Sequence, residues 1–234
     1  MRASVAETRE VAKGTLFVRF DVDGYPDYRP GAYFWVELPD RGHADDKGLR
    51  RHISLATSPT ETGVVGLATR LRDTAFKRTL AELRVGDEVV VEEPKGSFLL
   101  PEGTETEYVF VAGGIGITVF RSMLRYVADT GEPYRVTLVY SNRDRESTAF
   151  LDELQELERR IPGLRVVLTM TDDPGWAGET RHLDAEGLAE LVGGLEAKTF
   201  LVAGPPAMAE AVAGSLTSAG LADDRVLSDR FSGY

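Results

Sequence analysis

The 234-residue chain contains no cysteine. This absence excludes disulfides, thiolate metal sites, cysteine nucleophiles and cysteine-held iron–sulfur clusters within the sequence. Histidine is also scarce: His43, His52 and His182 are scattered without the spacing of metal ligands, so no metal site is predicted. Any chemistry carried by these residues must use other groups.

Positive charge is in short supply, with 27 Lys and Arg against 38 Asp and Glu, a net charge of −11. An acidic chain is poorly suited to binding phosphate backbones or anionic membranes, so we expect neither nucleic acid nor a membrane as partner. The first seven residues lack the apolar core of a signal peptide, and no stretch approaches the ~18 apolar residues of a membrane span. We therefore expect a soluble, cytoplasmic protein.

The chain divides into two parts that differ in pattern, and we predict domains at 1–102 and 103–234. The first part has short apolar or alternating runs between turn residues, which predicts an antiparallel β-barrel with one short helix at 74–83 behind Thr74 as N-cap. The predicted barrel strands are 15–22, 32–38, 52–57, 64–71 and 88–91.

The second part alternates apolar strands with amphipathic helices. This alternation predicts an α/β domain with a doubly wound parallel sheet of five strands, whose ligand lies at the carboxyl ends of the strands. The predicted strands are 108–112, 135–140, 164–170, 199–203 and 225–227, and the predicted helices are 120–128, 149–160, 184–191 and 207–219.

A glycine-rich segment, V-A-G-G-I-G-I-T at 111–118, ends a predicted strand and opens a predicted helix. Glycines let the backbone approach a ligand closely, and the free N–H groups of a helix start attract an anion. The segment is not the dinucleotide fingerprint, because Val119 stands where the third glycine of G-x-G-x-x-G belongs. A nucleotide loop and a plain strand-to-helix turn both remain open at this point.

Two further segments are weaker signals. In R-H-I-S at 51–54, the arginine fork suits a pyrophosphate and the serine hydroxyl suits a heteroaromatic nitrogen, although an arginine on an edge strand is often only solvated. The segment 201–208 is another strand end leading into a helix, and its prolines are explained by a helix start alone. Its interest comes from sharing the strand-end rim with the glycine segment.

Together and in this order, these segments resemble the ferredoxin–NADP reductase superfamily of flavoproteins. The family motifs P-G-Q-Y, R-x-Y-S, G-P-x-G-x-F, G-G-x-G-I-T, C-G-P-x-x-M and E-x-F are similar to residues 30–33, 51–54, 94–98, 113–118, 204–208 and 229–231. The resemblance covers nearly the whole chain. It implies an FAD-binding barrel followed by a nicotinamide-nucleotide domain.

For the flavin, the resemblance implies that Arg51 holds the FAD pyrophosphate and that Ser54 reaches toward flavin N5. Ile53 stands where the family has a stacking aromatic ring. Tyr234 either covers the flavin face or packs on the surface. The other residues that the resemblance assigns to FAD are His52, Thr69, Arg70, Thr74, Ala75, Phe76, Lys77 and Phe231.

For the nicotinamide nucleotide, the resemblance implies that Thr118 lies near the nicotinamide amide and, with Ser54, at the point of hydride transfer. At the tip of the second strand of the domain, Ser141 and Arg143 favour NADPH, whereas Asp144 favours NADH; an ordinary charged loop explains these residues equally well. Ala203 and Val119 replace the family's cysteine and proline. The other assigned residues are Gly113, Gly114, Ile115, Gly116, Gly204, Pro205, Pro206 and Met208.

The implied function is that of an FAD-dependent NAD(P)H oxidoreductase, in which the protein aligns the nicotinamide C4 with flavin N5 and needs no general base. Because there is no cysteine for a built-in [2Fe–2S] cluster, we expect a separate electron acceptor: a ferredoxin, a flavodoxin or an oxygenase component. Two alternatives remain: a flavin or quinone reductase for small molecules, and a non-catalytic nucleotide-binding subunit, which Ile53 favours.

An acidic ferredoxin would be expected to dock on the barrel half of the chain. Residues 1–103 carry 15 basic and 17 acidic side chains, a charge of −2, which leaves −9 of the total −11 for the remainder. The cations expected at this docking surface are Arg50, Arg70, Arg72, Lys77, Arg78 and Arg84.

Overall fold

The computed structural model describes residues 1–230, which form two β-sheets and five α-helices. The strands are β1 Arg2–Ala12, β2 Thr15–Asp21, β3 Tyr33–Glu37, β4 Arg50–Ser54, β5 Val64–Arg70, β6 Glu88–Val91, β7 Glu107–Gly113, β8 Arg135–Asn142, β9 Leu164–Met170, β10 Lys198–Gly204 and β11 Val226–Arg230. The helices are α1 Ala75–Ala81, α2 Ile117–Thr130, α3 Leu151–Arg160, α4 Ala185–Val192 and α5 Pro206–Ser218.

The first six strands form an antiparallel sheet in the order β4-β3-β6-β1-β2-β5. Just beyond edge strand β4, the Ala56 amide donates to the Gly66 carbonyl of the other edge strand at 2.7 Å, which brings the two edges together as in a barrel. Phe20, Phe34 and Leu67 fill the interior. The antiparallel barrel-type domain predicted from the sequence is confirmed.

The sequence pattern predicted five strands in this half and did not predict β1. Only Ala3 and Val5 of β1 are buried at alternate positions, and the strand continues through charged residues that face solvent. Its partners stabilise it instead: β1 pairs with both β2 and β6, and Glu7 lies 3.7 Å from Arg19 on β2. A strand stabilised by its neighbours carries little apolar alternation of its own.

The last five strands form a parallel sheet in the order β11-β10-β7-β8-β9. This is the doubly wound arrangement, with its topological switch point between β7 and β10. Val109, Val111, Val139 and Val202 are fully buried on these strands, as expected when helices cover both faces of a sheet. The predicted five-stranded domain is confirmed, and the predicted boundary at residue 102 falls in the connection between β6 and β7.

Helix α2 begins at Ile117, three residues earlier than predicted, directly after a 3₁₀ turn at Gly114–Gly116. Likewise α5 begins at Pro206 instead of residue 207, with Pro205 as its N-cap. Proline and glycine therefore open these helices because the strand must turn sharply before the first helical residue. In the described range 1–230, no helix is long and apolar enough to cross a membrane.

One buried apolar cluster contains residues of both sheets. Phe17 of β2 meets Phe150, at the start of α3, edge-on at 5.7 Å, and Ala56 and Ala68 belong to the same buried cluster as Phe120 of α2. A shared buried cluster restricts the relative motion of the two domains, in contrast to a polar surface between domains.

Candidate functional site: a cleft between the two sheets

A cavity of about 320 Å³ lies between the barrel and the parallel domain. This volume is within the range of small-molecule sites. Ten of the residues assigned from the sequence line it: Arg51, His52, Ile53, Ser54, Thr69, Arg70, Phe76, Lys77, Ile115 and Thr118. The remaining lining residues are Tyr33, Trp35, Ala68, Arg72, Asp229 and Arg230.

Arg51 lies on β4 opposite Val36 of β3 and is only 5% exposed. Its guanidinium donates to the carbonyls of Lys47 at 2.6 Å and Arg50 at 2.8 Å, and it lies 3.8 Å from Asp45. The loop before β4 therefore fixes the fork in one orientation at the cavity wall. A fixed guanidinium is well suited to binding an anionic group.

Asp45 links this arginine to the start of α1. Its carboxylate accepts a hydrogen bond from the Ala75 amide at 2.8 Å, and this bond is the main reason why the pKa of Asp45 is lowered. Thr74 is the N-cap, as predicted, since its hydroxyl accepts from the Lys77 amide at 3.3 Å. Thr74 and Ala75 themselves do not line the cavity.

Lys77 is buried in the cavity wall, with 7% of its surface exposed. Burial, together with the nearby charges of Arg72 and Arg51, lowers its pKa to about 8. The pKa of a lysine is lowered in this way where other positive charges are close and little water is present. The donor set therefore fits a diphosphate, the anionic part of FAD.

An aromatic wall on β3 was not assigned from the sequence. Trp35 and Tyr33 lie with their ring centroids 5.0 and 5.5 Å from the His52 ring, and all three rings line the cavity. Ile53, in contrast, supplies aliphatic surface there. The available signal was the alternation along β3, where Tyr33 and Trp35 are partly exposed between the buried Phe34 and Val36.

Asp229 on β11 was also missed as a lining residue. Burial raises the pKa of its carboxyl group, and neighbouring His52 partly offsets this effect. Burial in turn lowers the pKa of His52, while Asp229 opposes that shift. The barrel and the parallel sheet thus each contribute one titratable group to this part of the cavity. No run of residues in the sequence could show that β4 and β11 meet.

The turn between β7 and α2 forms the opposite wall. Thr118 is almost fully buried, and its hydroxyl donates to the Ile115 carbonyl at 2.7 Å. At the switch point, Gly113 and Gly204 end β7 and β10 so close together that a Cβ on Gly204 would lie 3.1 Å from the Gly113 Cα. The other residues gathered at this point, outside the cavity, are Gly114, Gly116, Pro205, Pro206 and Met208.

Ser141 and Arg143 lie at and just beyond the end of β8 and do not line the cavity. Arg143 is exposed and pairs with Asp172 at 3.4 Å. Asp144 accepts hydrogen bonds from the amide and hydroxyl of Ser147 at 2.8 and 2.7 Å. The charges of Arg143 and Asp144 are thus engaged within the protein. Phe231 and Tyr234 lie outside the described residues.

Three of the six cations expected at the docking surface are paired with an acidic residue or buried. Arg50 pairs with Glu92 at 2.9 Å, Arg78 pairs with Asp73, and Lys77 is buried. Arg70 and Arg72 line the cavity. The positive surface of the barrel is therefore weaker than the count of its basic residues suggested.

The chain is similar in sequence to known proteins. Residues 110–214 match the family model of the oxidoreductase NAD-binding domain. The reductase component of propane 2-monooxygenase from Rhodococcus jostii is 29% identical over 244 residues, covering 99% of this chain and 64% of that protein. NADH-cytochrome b5 reductase 1 from Cryptococcus neoformans is 29% identical over 195 residues, covering 79% of this chain and 62% of that protein.

The fold is likewise found in solved structures. A cytochrome P450 reductase from Amycolatopsis matches with a TM-score of 0.85 at 24% identity, over 99% of this chain and 70% of that one. The FAD/NAD-binding domain of nitric oxide dioxygenase from Vibrio cholerae matches with a TM-score of 0.85 at 20% identity, over 98% of both chains. The chain spans 64% and 60% of the lengths of two propane 2-monooxygenase reductase components. The barrel, the parallel sheet and these matches are consistent with the resemblance of the chain to the ferredoxin–NADP reductase superfamily.

Proposed function

We propose that this chain is an NAD(P)H-dependent flavoprotein reductase that passes a hydride from NAD(P)H to FAD and then electrons to a separate acceptor. The observation that carries this proposal is a cavity whose walls come from both halves of the chain, with Arg51–Ser54 on one side and Ile115 and Thr118 on the other. Such a cleft brings a flavin held by the barrel against a nicotinamide held at the switch point.

FAD, when bound, supplies the acceptance of a two-electron hydride and the release of electrons one at a time. Arg51 and Lys77 provide the positive charge for its diphosphate. Tyr33, Trp35 and Ile53 offer surface for its apolar parts, and Ser54 lies in the same wall with a hydroxyl available for a ring nitrogen. These residues bind and orient; none is needed as a base.

Thr118 is the residue proposed to contact the nicotinamide. Because its hydroxyl proton is directed to the Ile115 carbonyl, its oxygen lone pairs are left to accept from the N–H group of a carboxamide. Ser54 at the end of β4 and Thr118 on α2 are therefore the two residues proposed at the site of hydride transfer, one from each half of the chain.

For the electron acceptor, we favour an oxygenase component over a ferredoxin or flavodoxin. The Rhodococcus and Mycolicibacterium relatives are reductase components of monooxygenases. The 234 residues contain no cysteine to hold an iron–sulfur cluster, so electrons leave these residues for another group. A cytoplasmic location also remains a prediction.

The proposed function is tested by the visible spectrum of the purified protein, followed by anaerobic titration with NADH and NADPH in parallel. We expect bound flavin, released as FAD, that bleaches on addition of a nicotinamide donor. A stronger response to NADPH would support the role of Arg143 at the tip of β8. A colourless protein that binds no added FAD would contradict the proposal.

The same preparation separates the alternatives. Reduction of an acceptor protein by the FAD-loaded chain supports an electron-transfer reductase. Turnover of free FMN, riboflavin or a quinone as substrate indicates a small-molecule reductase instead. A protein that binds nucleotide but is not bleached would be a non-catalytic subunit.

A further inference from the structure

Arg121 on α2 is a buried cation that the proposed site does not use. It is 4% exposed; its Nε donates to the carboxylate of Glu153 on α3 at 2.9 Å, and its Nη2 lies 2.9 Å from the other oxygen of that carboxylate. Its remaining nitrogen donates to the carbonyl of Ala56, two residues beyond β4. One side chain thus joins the parallel domain to the barrel strand that carries Arg51 and Ser54.

The next residue of α2 makes a second bond of the same kind. The Ser122 hydroxyl, which is fully buried, donates to the carbonyl of Thr57 at 2.7 Å. Two successive side chains of α2 therefore bind two successive carbonyls of the barrel. This arrangement fixes both the distance and the rotation of α2 relative to the end of β4.

A balanced charge network surrounds these bonds. Arg125, one turn further along α2, lies 3.0 Å from Glu153 and 3.4 Å from Glu61, which belongs to the barrel half. Glu61 also accepts from the Ser58 amide at 2.9 Å. Two arginines and two glutamates, largely buried, compensate each other, so the loss of one member leaves an unbalanced charge with little water around it.

Aromatic rings complete the contact. The Arg121 guanidinium lies 5.1 Å from the ring centroid of Phe17 on β2 and 5.0 Å from that of Phe150, before α3. Phe150 has φ of +61°, a left-handed conformation that costs energy for a bulky residue. The fold thus retains a strained residue where its ring meets the interdomain arginine.

We propose that Arg121, assisted by Ser122, is a positioning residue that sets the separation of the flavin side and the nicotinamide side of the cleft. Arg121 is close to both sides of the cleft. It lies one helical turn after Thr118 on α2, and the Ala56 carbonyl to which it donates lies two residues after Ser54. This inference rests on the proposed hydride transfer. Because that transfer needs the reacting atoms within about 3 to 3.5 Å, a small shift of α2 against β4 slows it strongly.

The test compares Arg121→Met and the milder Ser122→Ala with Arg160→Gln as matched control. Arg160 on α3 pairs with Asp129 on α2 at 2.9 Å, an ion pair between the same two helices. Asp129 itself accepts from the Thr60 hydroxyl of the barrel half at 2.6 Å, and Arg160→Gln leaves this hydrogen bond in place. Stopped-flow bleaching of FAD-loaded protein by NADH or NADPH, over a range of donor concentrations, separates the limiting rate of flavin reduction from the donor Kd. Amide hydrogen exchange, which needs no activity, reports the contact itself.

We expect Arg121→Met to lower the limiting rate by about 10- to 100-fold and Ser122→Ala to lower it by several-fold, with the donor Kd changed much less. Exchange should rise in both 56–61 and 117–125. The Arg160→Gln control should keep the wild-type rate. If Arg121→Met does not fold, the proposal is judged on Ser122→Ala.

A wild-type limiting rate in both variants would overturn the proposal, as would a change confined to the donor Kd. Unchanged hydrogen exchange at both segments would overturn it as well. Failure of the proposed function is a separate result, because then the wild-type protein itself is not bleached by either donor.

Discussion

Arg51 is held by backbone carbonyls on one side and faces the cleft on the other, so its replacement removes charge from the site without opening the barrel core. We expect Arg51→Ala to weaken FAD binding by about 10- to 150-fold, since a hydrogen bond to a charged group contributes roughly 1.5 to 3 kcal/mol. The measurement is the Kd for FAD, together with the flavin content of the purified protein.

The matched control for Arg51 is Arg78→Ala. Arg78 is an exposed arginine of α1 that pairs with Asp73, so it carries the same charge nearby without lining the cavity. Its replacement should leave FAD binding unchanged. Equal FAD affinity in wild type and Arg51→Ala would remove Arg51 from the site.

Lys77 makes FAD affinity depend on pH in a definite direction. Its pKa of about 8 means that the side chain is charged below pH 8 and neutral above it in the free protein. A bound diphosphate favours the charged form, so binding above pH 8 must take up a proton. We expect FAD affinity to be level below pH 8 and to fall by up to about tenfold per pH unit above it.

Titrations of FAD between pH 7 and 9.5 test this expectation, with Lys77→Met as the variant that lacks the titrating group. The variant should bind more weakly at pH 7 and show a flat profile. A wild-type profile that is flat through pH 9.5, or a slope that persists in Lys77→Met, would contradict the role of this lysine.

At the scale of elements, the turn from β7 into α2 depends on the absence of a side chain at Gly116. A Cβ there would lie 2.2 Å from the Ala203 carbonyl oxygen at the end of β10, a backbone atom that cannot move aside. We expect Gly116→Ala to lower the melting temperature by several degrees and to weaken binding of the nicotinamide nucleotide, because the β7 and β10 ends must separate.

The contrasting change is Gly214→Ala in the middle of α5. Nothing lies within 4 Å of a Cβ at Gly214, and alanine is the better helix former by about 1 kcal/mol. The melting temperature should therefore stay level or rise. Thermal unfolding of both variants separates the effect of steric overlap from a general effect of glycine replacement; an unaltered Gly116→Ala protein would contradict the close packing of the two strand ends.

At the scale of the whole molecule, charge decides how an acceptor approaches. The chain carries a net charge of −11, and two of the expected docking arginines, Arg50 and Arg78, already pair with acidic neighbours. Docking of an acidic acceptor then depends on a small number of cations near the cleft, such as Arg70. We expect added salt to slow electron transfer to such an acceptor, because it screens these few charges.

The measurement is the rate of reduction of an acidic acceptor protein at low and high salt, with a small neutral acceptor as control. The control rate should not change, since it needs no docking. A rate for the acidic protein that is independent of salt would remove the barrel cations from the docking surface.

Much of the architecture follows from local pattern. The buried valines of the parallel strands and the amphipathic helices between them predicted the doubly wound domain, and Thr74 predicted the start of α1. Strand β1 was missed because its partners stabilise it, with little apolar alternation of its own. Helix α2 begins earlier than its apolar spacing indicated, because the 3₁₀ turn at Gly114–Gly116 leads directly into it.

The sequence by itself determined the two domain types, the residues at their strand ends and the absence of cysteine chemistry, because these depend on residue type and on short-range periodicity. Only the tertiary structure decided which residues share the cleft. Tyr33, Trp35 and Asp229 meet His52 there, and Arg121 reaches Ala56, through strand order and packing between residues distant in sequence. Such contacts depend on how the two halves of the chain pack against each other, and a local pattern of residues contains no information about that packing.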